Sequence, residues 1–290
     1  MQPTFILSCE STIDLPYSYV QERELPVLFY SYSVDGEAHV DDMGRDPQSL
    51  PRFYQYIADG KLPSTSQLNE AQYEDFFAPL LEKGDVLHIA FGSGMTASVQ
   101  NAKLAAEVLR EKYPERKIVV IDTLCASMGE GLLDYKALEL QKEGRSLEEV
   151  AQWVEENKLH ICHNVTVDDL HHLHRGGRIS KATAVLGSMV QIKPIIHVDN
   201  EGRLQVIGKE RGRKKSLNKI VDMAAEQAKG WENDLVLITH GDCIEEAEYV
   251  AGRVREKLGV DHILINNIGT VIGSHTGPGV VAVFCMGEKR

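Results

Sequence analysis

The sequence predicts an α/β protein of two domains. The N-terminal one carries a mostly parallel, Rossmann-like sheet, and the C-terminal one a mixed sheet with an antiparallel hairpin. Three observations carry this. Short β-rich runs alternate with amphipathic helical stretches in the first half, the rhythm of a helix-covered parallel sheet. In the second half, two β-rich runs meet at the turn Asp199–Gly202, which makes them hairpin neighbours. With 290 residues at 43% hydrophobic content, the chain is long enough for two cores. The division is placed between residues 1–157 and 158–290.

In chain order, FILSC (5–9), PVLFYSYSV (26–34), DVLHIAF (85–91) and KIVVID (117–122) read as strands. Helical patterns fall at 70–83, 98–112 and 126–143. Asn69 with Gln72 has the spacing of a capping box before the first of these. Ser146 with Glu149 repeats it before LEEVAQWVEENK, the helix that closes the first domain. HICHNVTV (160–167) is then a strand and KATAVLGSMVQ (181–191) a helix. KPIIHVDNEGRLQVIGKER (193–211) forms the hairpin. A helix at 214–229, the strand DLVLITHGD, the helix EEAEYVAGRVREKLG with Gly259 just past its end, and two more strands complete the chain.

Charge and composition exclude several classes of function. A formal net charge of −12 argues against a nucleic-acid binder, which needs a basic face for phosphates. It also disfavours stable docking on anionic membrane, leaving only transient membrane contact through a local basic patch. The opening MQPTFILSCEST lacks the basic-then-apolar pattern of a signal peptide. No run of about 18 uncharged apolar residues predicts a membrane span. Five cysteines far apart, with no C-x-x-C, read as reduced, buried thiols of a cytoplasmic protein.

Several segments carry candidate chemistry. GSGMTA (92–97) follows a strand and opens a helix, so it matches G-x-G-x-x-A in a dinucleotide-binding context, with Asp122 ending the next strand. That is the basis of the alternative reading, a nucleotide-dependent oxidoreductase. A helix start also welcomes any anion, and Thr96 adds a hydroxyl there. PSTSQLNE (63–70) offers three hydroxyls before a helix, where one would cap it; the surplus permits ligand contact. Ser93 and His275 lack the G-x-S-x-G elbow of a serine hydrolase. The histidines of HHLHRGGR (171–178), preceded by Asp168 and Asp169, read as a solvated polar segment, and no metal site is assigned. KERGRKK (209–215) is a basic run that could face solvent, a phosphate or an acidic partner. The last segment, VIGSHTGPG (271–279), could cradle a phosphate, position His275 or turn a corner between strands.

In their order and spacing these segments resemble the DegV family. The resemblance rests on CESTIDLP, TSQ at 65–67, FGSGMTAS at 91–98, VIDTLCASMGEGLL at 120–133 and LHRGGRIS at 173–180. It continues through GKERGRKKS at 208–216, HGD at 240–242 and GSHTGPG at 273–279. It implies a DegV-type fold with a long-chain fatty acid, such as palmitate, in an apolar interdomain tunnel. It also implies no chemistry and no cofactor of the protein's own. The partner implied is an ATP-binding fatty-acid kinase subunit, which makes an acyl-phosphate for phospholipid metabolism. The family's carboxylate-binding residues fall on Thr65, Thr96, His275 and Thr276, and Arg178 and Arg211 are placed as phosphate or partner contacts. The chain departs from the family in TSQLN for TSQPS, in Thr96 where serine is usual, and in CEST for DST, which moves the acid to Glu10.

Overall fold

The computed structural model describes residues 4–168, 170–181, 183 and 191–290, organised by three sheets. The first is wholly parallel, in the order β2 (Val27–Leu28), β1 (Ile6–Glu10), β6 (Val86–Ala90), β7 (Ile118–Asp122). Every residue of β6 is buried, because helices cover both faces of this sheet. On one side α3 (Glu70–Leu81) and α4 (Ser98–Lys112) pack Phe77, Leu81, Ala105 and Leu109 against Val86 and Ile118. On the other, α5 (Met128–Lys142) and α6 (Leu147–Asn157) pack Leu133, Ala137 and Val150 against Leu87 and Ile121. Both predicted capping boxes close, at Asn69 with Gln72 and at Ser146 with Glu149.

The second sheet is mixed, in the order β10 (Leu204–Arg211), β9 (Ile192–Val198), β8 (Ile161–Thr166), β13 (Val281–Met286), β11 (Val236–His240), β12 (Ile263–Asn267). Only β11 and β12 pair in parallel, and β9 with β10 is the predicted hairpin. Helices α8 (Arg213–Gln227) and α9 (Ile244–Leu258) cover one face through Leu217, Ile220, Val250 and Val254. The opposite face, with Val165, Ile196, Leu237 and Phe284, joins the core around α5. That shared burial is why the first seven residues of α5, MGEGLLD, are all buried.

Three expectations change. PVLFYSYSV breaks in two, because Tyr30 turns its ring inward and donates its backbone N–H to Ser11 Oγ at 3.1 Å. Its second part, β3 (Ser31–Val34), builds a small antiparallel sheet with β4 (Glu37–Val40) and β5 (Ser64–Ser66). The polar turn at 63–70 thus contains a strand, placed by an edge that β3 offers. Helix α1 (Tyr17–Glu22) precedes β2, and α2 (Ser49–Ala58) lies between β4 and β5. Last, the chain does not end on two strands in succession. After α7 (His171–Arg175), α8 and α9, a further helix, α10 (Thr270–Thr276), lies between β12 and β13, where the sequence predicts a loop. The predicted helix KATAVLGSMVQ lies for the most part outside the described residues, as does Asp169. Among the described residues, no helix is long and apolar enough to cross a membrane.

Candidate functional site

The sheets enclose a cavity of about 650 Å³. Phe91 and Met95 from the N-terminal half, and Val165, Val198, Ala282 and Phe284 from the C-terminal sheet, make its wall largely apolar. Polar groups gather where β5, the 92–97 turn, the end of α7 and the end of α10 converge: Thr65, Thr96, Arg175, Arg178, Ser274 and His275. An apolar chamber with a few convergent polar groups suits an elongated apolar molecule bearing one polar end.

At that polar edge Thr65 Oγ1 and His275 Nε2 lie 2.8 Å apart. Burial pushes the His275 ring down to about 4, with Arg178 and Arg175 adding repulsion, so it is neutral at pH 7. Nδ1 has no partner among the described residues and faces Gly176, where a Cβ would stand 2.1 Å from it. A buried unpaired N–H is rarer than an unpaired lone pair, so the proton is assigned to Nε2, which donates to Thr65. The Thr65 hydroxyl is thereby left to give its own proton into the cavity. His275 acts through Thr65.

The other predicted residues divide. Thr96 Oγ1 lines the cavity, accepts the Ser98 N–H at 3.1 Å and sits 2.9 Å from Ser98 Oγ. Ser98 Oγ also accepts the Leu68 N–H at 3.0 Å, and between the two hydroxyls either oxygen can be the donor. Thr276 lines the cavity but donates its hydroxyl to Ile272 O at 3.1 Å, one turn back in α10. In this arrangement its proton is engaged within the helix. Arg178 lines the cavity and donates to the carbonyls of Met95 and Gly176. Arg211 stands exposed at the end of β10 and is not among the residues lining the cavity. In the same basic run, Arg213 is structural, bonded to Glu246 and to the carbonyl of Gly279. Sequence reasoning missed Arg175, which reaches Ser274 O at 3.1 Å; its signal was the arginine at the other end of RGGR.

The glycines of the last motif have a specific cause. A Cβ on Gly277 would stand 2.4 Å from the His172 ring, and one on Gly279 2.3 Å from the Asp168 carboxylate. Both also have positive φ, 72° and 77°. With Gly176 against His275, the two motifs interlock through side chains seated on glycine. The turn GSGMTA is built otherwise. A Cβ on Gly94 would meet the Gly202 backbone at 2.3 Å, and one on Gly92 would meet Cys125 O at 2.7 Å. Asp122 Oδ1 accepts the N–H groups of Ser93 and Leu124 at 3.0 and 3.1 Å. Backbone fills the space a pyrophosphate would need, and the supposed ribose acid is a turn cap. Glu10 is buried too, accepting from Tyr30 Oη at 3.1 Å, from the Phe91 N–H at 3.0 Å and from Tyr73. It anchors the loop that carries Phe91 into the cavity wall.

The chain matches the model of the DegV family over residues 6–288. A DegV domain-containing protein of Clostridium perfringens is 39% identical over 288 residues, spanning 99% of this chain and 98% of that protein. The solved structure of a DegV family protein from Thermus thermophilus, described by its fatty-acid binding, superposes with a TM-score of 0.86 at 29% identity, covering 98% of this chain and 99% of that one. A fatty acid binding DegV family protein from Streptococcus agalactiae superposes with a TM-score of 0.84 at 27% identity, covering 98% and 99%.

Proposed function

The chain belongs to the DegV family, and from that premise we propose that it binds one long-chain fatty acid and presents it to an ATP-binding kinase partner. The acyl chain fills the apolar cavity, and the carboxylate meets the hydroxyls of Thr65 and Thr96. The observation that carries this is the 2.8 Å contact between Thr65 and His275 at the polar edge of an apolar chamber. It leaves a hydroxyl donor aimed inward where a buried carboxylate needs one. Each methylene removed from water contributes about 0.8 kcal/mol, so the tail supplies on the order of 10 kcal/mol gross. Each charge-assisted hydrogen bond adds about 1.5–3 kcal/mol and fixes which end of the chain faces out. Arg175 and Arg178 lend positive potential to that end. The protein's own part is binding and orientation; the phosphoryl group comes from the partner, which the ligand meets in the cytoplasm.

Native mass spectrometry of protein purified from a bacterial host tests the reading. The expected result is a co-purifying long-chain acid. Delipidated protein that takes up no acid of sixteen or eighteen carbons in a titration would sink it.

A further inference from the structure

We propose that Asp14 and Asp41, buried carboxylates of the N-terminal half, are positioning residues that hold the first turn of α10 and thereby place His275, at its other end, against Thr65. This rests on the reading of Thr65 and His275 as the head-group clamp.

A helix usually carries its own cap, yet the residue preceding α10 is Gly269, which has no side chain to cap with. The caps come instead from more than two hundred residues away. Asp14 Oδ1 accepts the Gly269 N–H at 2.8 Å. Asp41 Oδ1 accepts both the Thr270 N–H at 3.2 Å and the Thr270 hydroxyl at 2.8 Å. Each carboxylate is held in turn: Asp41 by the Ser11 hydroxyl at 2.9 Å, Asp14 by the Ser127 hydroxyl. Asp14 and Ser127 both hold positive φ, 54° and 56°, strain of the kind that persists only where surroundings demand it. Asn266 adds a bond from its side chain to the Asp14 carbonyl at 2.8 Å.

From this anchor, α10 works as a short rod. Gly273 N–H bonds Gly269 O and Gly277 N–H bonds Gly273 O, both at 2.8 Å. The Ser274 and Thr276 hydroxyls bond back to the carbonyls of Thr270 and Ile272. At about 1.5 Å rise per residue, His275 sits roughly 8 Å from the capped end. A rod so braced has little freedom of its own, so the place of the His275 ring follows from where its first turn is pinned.

The test reads the His275 ring directly by long-range proton–nitrogen NMR, with no ligand present. In the parent protein the ring should titrate near pH 4. Asp41→Asn should raise that midpoint by about one unit or more, as the loosened ring meets water. Thr270→Val, which removes only a hydroxyl donor to the same carboxylate, should move it the same way by less; it carries the test should Asp41→Asn not fold. Val254→Ala, in the core on the far face of the C-terminal sheet, is the destabilised control and should leave the midpoint in place. An unmoved midpoint in folded Asp41→Asn, or an equal shift in the control, overturns the proposal. A second arm compares hexadecanoic acid with hexadecanol. Asp41→Asn should lower the preference for the acid about tenfold, and an unchanged preference counts against the proposal. If the parent protein binds neither lipid, the functional reading fails, while the NMR result still decides the positioning role.

Discussion

Two glycine-rich segments look alike in the chain and do different things in the fold. In Gly92–Ala97, glycine lets backbone touch backbone: Gly94 lies against Gly202, and Gly92 against Cys125. In Gly273–Gly279, glycine admits side chains: the Phe53 ring on Gly273, the His172 ring on Gly277 and the Asp168 carboxylate on Gly279. The first arrangement welds a turn to a neighbouring hairpin. The second seats side chains from other elements against α10 and the turn that follows it. In these two segments glycine marks a close approach, and only the approaching group says why.

The contrast predicts a difference in stability. Gly94→Ala pushes a methyl into fixed backbone and should cost about 3 kcal/mol or more. Gly273→Ala meets the edge of the buried Phe53 ring rather than backbone, and it gains helix propensity, so its net cost should stay below that of Gly94→Ala. Denaturant midpoints of the two variants would separate these, and equal losses would erase the distinction.

Binding sharpens the contrast next. Thr65→Val and His275→Ala should each weaken fatty-acid affinity by roughly tenfold to a hundredfold, which corresponds to one charge-assisted bond. Because His275 works through Thr65, the double variant should lose little more than either single one. Losses that add in full in calorimetric titration would mean that the two residues contact the carboxylate independently.

The last contrast is in the pH dependence of stability, where two groups on or against α10 oppose each other. The His275 ring, held near 4 in the fold and near 6.5 when unfolded, stabilises above pH 6.5; that contribution is lost as pH falls toward 4. Asp41 runs the other way. Burial lifts it to about 6 from an ordinary 3.8, so its contribution is present below 3.8 and lost as pH rises through 6. Between pH 6.5 and 4, His275→Gln should therefore lose less stability than the parent, and Asp41→Asn more. Thermal midpoints across that window check the signs.

Where the sequence was legible, the signals were local. Asn69 with Gln72 and Ser146 with Glu149 close as boxes because a cap and its partner sit three residues apart. Gly259 takes the left-handed conformation at φ 68° that a helix end favours. Helix α10 was illegible for the converse reason. Val271, Ile272, Gly273 and Thr276 are poor helix formers, and the caps that compensate are Asp14 and Asp41. Strand β5 was hidden likewise, since Ser-Thr-Ser has no apolar alternation and becomes a strand only because Tyr32 pairs with Thr65.

The sequence by itself determined the family, the mostly parallel and mixed sheets, and the residue types that could receive a carboxylate, since each of these is written in composition, spacing and short-range pattern. Which of those residues face the cavity was decided only by the tertiary structure. Thr65 and His275 are 210 residues apart, and their 2.8 Å contact exists because β3 places one and a helix pinned by distant carboxylates places the other. Thr276, one residue further on, turns its hydroxyl back into its own helix. Adjacent residues on a helix point about 100° apart, and no local pattern sets the origin of that rotation.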